Sequence, residues 1–414
     1  MNKRAKKFQK VNQKVLIATI DVSKNSHVGY WRYSNGIDSK PFGFANTGEG
    51  FKRFWHKIWT AKIIHKADEI IVGFESTGPY AEPLVNYLLK KPVKLVQVNS
   101  MHTKRIKELD DNSPRKTDQK DTRVIADIIQ FGHYLSVLVP TGAAAELRRL
   151  TNARESAVTR RTALINRLQN LFSIIFPEFL SIMKGVHTKS ARYLLGYYPM
   201  PEDIVALGWK KLAKRLHKVS RGKLGSERAQ ELFAAAQGSI GITEGKESIG
   251  MEIHHILQEI SSCDVFINRI EKKMKKYLAE ITCSRYLLSI PGVSYVTVSG
   301  IIGEVGNFEK IHFQKALIKL AGLDLFEVSS GKHRGTRHIS KRGRAILRKM
   351  LYYAAINVVR RNGILHEYYQ QCIARGMLRM KAIVAVMKKL LRIMFALVSN
   401  KKDYNSEYSI QKVA

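Results

Sequence analysis

Apolar and polar positions follow two regimes along this chain, and the change falls near residue 140. Upstream, short apolar runs are separated by turn residues. Segments 15–23, 27–34 and 40–45 read as strands, with Gly36 and Pro41 marking the turns. Segment 48–66 is helical, and 70–75 is a short apolar run of the kind found in buried central strands. A helix over 79–89, a strand over 93–99 and a helix over 100–109 complete the order β-β-β-α-β-α-β-α. Downstream, apolar residues recur three and four apart. One run is Leu147, Leu150, Arg154, Ala157, Arg161, Leu164, Leu168, Leu171 and Ile175. A second is Ile249, Ile253, Ile256, Ile260, Cys263, Ile267, Ile270, Met274, Tyr277 and Ile281. Both are coiled-coil-like seams. They form either one antiparallel hairpin within the chain or a dimerisation arm, since a heptad seam does not reveal its partner.

Three meandering strands followed by βα units are the plan of an RNase H-like (RuvC-like) α/β domain, here assigned to residues 15–140. A basic arm (1–14) precedes it. A long helical, coiled-coil-like connector covers 143–283, and its part at 180–245 reads as an irregular basic insert carrying Lys210, Lys211, Lys214, Arg215, Lys218 and Arg221. A mostly α-helical domain covers 284–400, with a tail at 401–414. It opens on Ile290-Pro291-Gly292-Val293, either half of a helix-hairpin-helix facing a phosphate or a plain Pro-Gly turn. Helices are expected over 313–321, 342–361, 365–374 and 381–398.

Charge changes the picture. The 414 residues hold 70 Lys plus Arg against 34 Asp plus Glu, a net charge of +36 that calls for a polyanionic partner. Nucleic acid fits, bound largely by counterion release. Lys388, Lys389 and Arg392 break the apolar stretch near the C-terminus, so no membrane span is expected. Cys263, Cys283 and Cys372 are scattered, which excludes a disulfide framework and a thiolate zinc site and suits a reducing cytoplasm.

Four acids are candidates for chemistry. Asp21 ends an otherwise apolar strand, where a carboxylate is costly without a cation. Glu75 ends the strand at 70–75. Asp118 and Asp121, three apart after the capping residue Thr117, share one helical face. If that face leans on the sheet beside Asp21 and Glu75, the four could hold two hard cations. Taken singly, Asp118 is equally a first-turn residue favoured by the helix dipole, and Asp121 a solvated partner of Arg123. A second stretch runs from Val328 through Ser329, Ser330 and Gly331 into a dense basic run with Arg334, Arg337, Lys341, Arg342 and Arg348. A serine there could attack a phosphate gripped by those cations. Equally, it is a flexible loop before a backbone-binding basic helix.

These motifs together resemble the DEDD transposases of bacterial insertion sequences, relatives of the pilin-gene invertase. The matching residues are Ile20-Asp21-Val22, Phe74-Glu75-Ser76-Thr77-Gly78, Lys116-Thr117-Asp118 through Asp121, 288–293, Ala321-Gly322-Leu323, Ser330-Gly331, Ile339 to Gly343, and Leu347-Arg348. The resemblance covers about residues 15–140 and 285–400. It implies a RuvC-like nuclease site at Asp21, Glu75, Asp118 and Asp121 holding Mg²⁺, with Mn²⁺ as a substitute. It implies a transposase domain whose serine, mapped onto Ser330, joins DNA covalently, so that donor and target strands are exchanged. It also implies a guide (bridge) RNA encoded by the element, action as a homo-oligomer (dimer or tetramer), and a cytoplasmic, nucleoid-associated protein. Asp324-Leu325 stand where the family has Pro, which leaves Ser329 open as the nucleophile, and Thr122 stands where Ala is common. The alternatives are a metal-dependent junction or RNA–DNA nuclease without a covalent step, and a non-catalytic nucleic-acid-binding remnant.

Overall fold

A computed structural model describes residues 14–33, 36–75, 78–111, 118–327, 329–330, 333–334 and 337–405; the arm before Lys14 and the tail after Asn405 lie outside the described residues. Two compact units divide the chain, Met1–Leu138 and Val139–Ala414.

The first unit is built on a six-stranded sheet. The strands are β1 (Val15–Asp21), β2 (Ser26–Tyr33), β3 (Phe42–Ala45), β4 (Glu69–Glu75), β5 (Lys94–Val98) and β6 (Leu135–Ser136). Their order across the sheet is β3-β2-β1-β4-β5-β6. β1 pairs antiparallel with β2, β2 with β3 and β5 with β6; β1–β4 and β4–β5 are parallel. Between them come helices α1 (Gly48–Ile64), α2 (Glu82–Leu88), α3 (Ser100–Asp111) and α4 (Asp118–Gln130). The α/β plan read from the sequence is the one observed, with β6 as an unforeseen edge strand. The segment expected as one helix over 79–89 starts as a 3₁₀ turn, Gly78–Ala81, because Pro83 supplies no amide to an earlier turn.

Alternation decides the faces, since successive strand side chains point to opposite sides. Leu16, Ala18 and Ile20 of β1 pack with Ile70, Val72 and Phe74 of β4 under Phe51, Phe54 and Ile58 of α1. Val15 and Ile17 pack with Ile71, Val96 and Val98 under Val124, Ile125, Ile128 and Ile129 of α4. Both faces are covered, so the central strands read as continuous apolar runs.

The second unit is helical. Its two long members are α5 (Gly142–Ile175) and, after the short α6 (Pro177–Ile182), α7 (Lys189–Tyr197), α8 (Pro201–Leu207), α9 (Trp209–Ser220) and α10 (Ser226–Gln237), the helix α11 (Lys246–Ala279). α5 and α11 are each 34 residues long and pack together. Ion pairs fix their direction: Arg154–Glu271 at 2.8 Å, Arg161–Asp264 at 2.8 Å and Arg167–Glu252 at 2.7 Å. Numbers rise on one helix as they fall on the other, so this is the antiparallel hairpin within one chain. Burial alone would raise the Asp264 carboxyl, but hydrogen bonds from Arg192 and Arg161 outweigh it and hold it below the usual range.

The seam residues are used as expected, but the insert is not irregular. Leu168, Phe172 and Ile175 of α5 meet Ile253, Ile256 and Ile260 of α11, and around them close Phe179, Leu194, Leu212, Leu216 and Leu232 from α6, α7, α9 and α10. Residues 180–245 thus form short helices that share one core with the adjoining ends of α5 and α11.

The other end of the hairpin, with Leu147, Ile270, Met274 and Leu278, joins a second core. That core is completed by α12 (Ser284–Leu288), α13 (Tyr295–Val305), α14 (Gln314–Leu320), α15 (Ala345–Val358), α16 (His366–Ala374) and α17 (Arg379–Asn400). α13 is buried from Thr297 to Val305, and the Ser294 hydroxyl accepts from the Thr297 amide at its N-terminus. The Pro291-Gly292 segment is therefore a turn into a capped core helix. All three cysteines are buried and free, and burial pushes the Cys283 thiol up to about 11. No described helix is long and apolar enough to cross a membrane.

Candidate functional site

Two places carry the sequence-predicted chemistry, one in each unit. In the first unit, Ile20 lies beside Phe74 across the parallel β1–β4 pair. The next residues, Asp21 and Glu75, therefore end adjacent strands, which run about 4.8 Å apart. Asp21 shares the side of Ile17 and Thr19, and Glu75 shares that of Ile71 and Gly73. This is the α4 face: a Cβ on Gly73 would stand 2.1 Å from Ile129 Cδ1.

Helix α4 is fixed to that face at one turn. The Thr19 hydroxyl, fully buried, donates to the Thr122 carbonyl at 2.7 Å. This bond puts Asp121, 6% exposed, at the level of the strand ends. Asp118 opens the same helix one turn earlier; its side chain, and residues 112–117 with the expected cap Thr117, lie outside the described residues. Three of the four acids thus come to one end and one face of the sheet. Among the described residues no three acidic, histidine or cysteine side chains close on a common point as a metal cage would require. The donor chemistry, carboxylate oxygen throughout, fits a hard divalent cation and not a soft one.

Sequence reasoning missed two supports. Thr19 is one; a hydroxyl inside an otherwise apolar strand was its signal. Arg32 is the other. Its Nε and Nη2 reach Asp38 at 2.9 and 3.2 Å, and Nη1 bonds Asp127 of α4, so β2 is strapped to the helix that carries Asp121. Burial works against the Arg32 charge, but the hydrogen bonds to Asp38 and Asp127 outweigh it and raise the guanidinium above its usual value. Replacing Thr19 by Val removes the tie of α4 to β1. The expected cost is about 1 kcal/mol of stability, read by urea denaturation, with activity falling further than stability because Asp121 loses its support.

In the second unit, Ser330 sits on a β ribbon and not in the expected loop. β7 (Leu325–Phe326) pairs antiparallel with β10 (His338–Ile339). Further out, β8 (Ser329–Ser330) pairs with β9 (His333–Arg334), Ser330 opposite His333. Val328 and Gly331 lie outside the described residues, as do the side chains of Ser329, Ser330 and Arg334.

The ribbon is locked at its base by backbone. The Lys341 amide donates to the Gly322 carbonyl at 3.0 Å, Ser340 to Asp324 at 2.7 Å and Arg344 to Leu320 at 2.8 Å. A Cβ on Gly343 would lie 2.4 Å from both the Gly322 nitrogen and the Leu320 oxygen. Gly322 itself has φ +65°, and a side chain there would meet the Lys341 carbonyl carbon at 2.9 Å. The two glycine motifs noted in the sequence are therefore one structural device. Gly343→Ala must push these backbones apart, which costs about 1–3 kcal/mol for an overpacked contact. Thermal unfolding reads this cost.

The basic residues divide by role. Arg348 donates to the Ala321 carbonyl at 3.0 Å and so belongs to the lock. Arg337 pairs with Glu327 across the ribbon at 2.7 Å. Lys341 and Arg342 are exposed. Arg344, which sequence reasoning passed over, is half-buried beside Glu304; burial and the Arg148 charge lower it. Lys210, Lys211, Lys214 and Arg215 lie in the other core region, exposed on α9.

Comparison with known proteins places both regions. Residues 18–177 match the family model for transposases of the DEDD, IS110 kind, and residues 284–370 match that of the "Transposase IS116/IS110/IS902 family"; together they span more than half of the chain. An uncharacterised 44.8 kDa protein of insertion element IS116 from Streptomyces clavuligerus is 24% identical over 300 residues, covering 72% of this chain and 75% of that protein. The transposase for insertion sequence element IS1111A from Coxiella burnetii is 25% identical over 296 residues, covering 70% and 68%. An uncharacterised 42 kDa protein of insertion element IS900 from Mycobacterium paratuberculosis is 23% identical over 293 residues, covering 70% and 73%. With the four acids and the serine ribbon each inside its own matched segment, the chain belongs to the IS110/IS116 family of insertion-element transposases.

Proposed function

We propose that this transposase exchanges DNA strands through a serine ester, with Asp21, Glu75, Asp118 and Asp121 as the metal-holding site of an RNase H-like domain. The observation that carries the reading is the placing of Asp21, Glu75 and Asp121 at one end of the α4 face of the sheet. The strand order and directions, three antiparallel strands followed by two parallel ones, support the RNase H-like assignment. Mg²⁺, or Mn²⁺ in its place, would be held by these four carboxylates and supply charge neutralisation at the phosphate. The chain's own residues do the rest. The Ser330 oxygen attacks phosphorus; the new serine–phosphorus bond replaces one DNA phosphorus–oxygen bond, and the serine proton ends on the departing DNA hydroxyl. A hydroxyl of the partner strand then attacks the ester, joins to phosphorus and returns Ser330 to its free form. Exposed Lys341 and Arg342 steady the phosphate backbone. Donor and target DNA are the substrates; a guide RNA and action as a homo-oligomer complete the reading through the family resemblance.

The test is strand exchange between labelled DNA carrying the element's ends and its target. Joined products are expected with Mg²⁺, none after chelation, and recovery with Mn²⁺. Exchange that persists in full without any divalent ion overturns the metal assignment.

A further inference from the structure

Residues 178–283 lie outside both matched family segments, yet they include the helical bundle at the closed end of the hairpin. One of its surfaces is built unlike a merely solvated one. Helix α9 carries no acid over its 12 residues. Leu212 and Leu216 are buried, while Lys210, Lys211, Lys214, Arg215 and Lys218 are all exposed. At 100° per residue these five cations fall within an arc of about 140° opposite the buried leucines. The four lysines extend over about 12 Å of helix axis.

The edge of this arc meets aromatic rings. Arg215 Nη1 bonds the Tyr193 hydroxyl at 3.2 Å, and its guanidinium lies 5.5 Å from the Tyr198 ring centroid. Tyr193 in turn lies 4.7 Å from Tyr197, ring to ring, and Tyr197 is 66% exposed. An exposed ring held beside a row of cations is the pairing that takes up an unpaired polynucleotide strand. Cations follow its phosphates, and the ring stacks on a base. A duplex offers the phosphates but keeps its bases stacked inside.

We propose that the α9 face and the Tyr193–Tyr197–Tyr198 cluster grip an unpaired DNA strand, phosphates along the lysines and a base on Tyr197. The choice of DNA rests on the strand-exchange reading above; the grip itself does not. Binding is measured directly on the full-length protein, so it succeeds or fails independently of exchange activity.

The experiment is fluorescence anisotropy with labelled 20-mers of deoxythymidine, its duplex with deoxyadenosine, and 20-mers of uridine, over a range of salt. Neutralising four lysines (K210Q, K211Q, K214Q and K218Q together) is expected to reduce the salt slope for the thymidine strand by about 2.8, at about 0.7 per phosphate contact. Tyr197→Ala is expected to weaken that strand at least about fivefold, leaving the salt slope and duplex binding unchanged, with Tyr197→Phe retaining wild-type affinity. An unchanged slope in the quadruple variant, or an unchanged affinity in Tyr197→Ala, overturns the proposal. Tighter binding of the uridine strand than the thymidine strand overturns the assignment to DNA. Wild-type melting temperatures for these surface variants ensure that a loss reports on the surface.

Discussion

Asp21→Ala is expected to leave the protein folded and bound to DNA while lowering strand exchange by on the order of 10³-fold or more. The magnitude follows from the chemistry assigned to the site. A metal ion at a transferring phosphate supplies several kcal/mol of transition-state stabilisation, and each 1.36 kcal/mol is about tenfold in rate. Asp21 stands at the end of its strand, partly exposed, so its removal opens no cavity in the core. Asp121→Ala is expected to lose as much activity, and Glu75→Gln as well. Glu227→Ala, at the exposed start of α10, is expected to do nothing. Gel assays of exchange at saturating Mg²⁺, with DNA binding measured in parallel, separate the two effects. Loss of binding in step with exchange would place Asp21 in folding or docking instead.

Ser330→Ala carries the second large effect. If the serine oxygen is the atom joined to phosphorus, its removal abolishes exchange outright. Ser330 is not among the four proposed metal ligands, so Ser330→Ala is expected to leave divalent-ion binding at Asp21, Glu75, Asp118 and Asp121 unchanged. Ser329→Ala is the matched control. It immediately precedes Ser330 on the same strand. The expected result is retention of exchange in Ser329→Ala. A reversed pattern moves the nucleophile to Ser329 and keeps the mechanism; exchange intact in both removes it.

How much of this was legible in the sequence depends on segment length. The central strands β1 and β4 showed as apolar runs because both sheet faces are covered. The hairpin showed because 34-residue helices repeat a seam many times. What the seam could not give was its partner; the charged pairs Arg154–Glu271 and Arg161–Asp264 decided that, and Arg154 and Arg161 stood within the apolar run itself. The bundle at 180–245 shows no clear period in the sequence because its helices span only 6 to 12 residues, too short for a period of 3.6 to stand out. The ribbon was invisible for the same reason, with strands of two residues each.

The candidate site was legible in its acids and not in their supports. A carboxylate ending an apolar strand draws notice at once. The Thr19 hydroxyl and the Arg32 strap act through contacts more than ninety residues away in the chain, which no local pattern encodes. The same holds for the glycine motifs at Gly322 and Gly343. Each reads alone as a turn, and only their packing against one another gives them a joint role in seating the ribbon.

The most direct measurement is a peptide map of protein–DNA adducts. Wild-type protein is incubated with end-labelled DNA and Mg²⁺, denatured, digested and read by mass spectrometry. Strand exchange through serine predicts one nucleotide-bearing peptide, modified at Ser330, that is absent in Ser330→Ala and in Asp21→Ala. DNA cleaved in full with no peptide carrying a nucleotide contradicts it and leaves the four carboxylates as a nuclease acting alone.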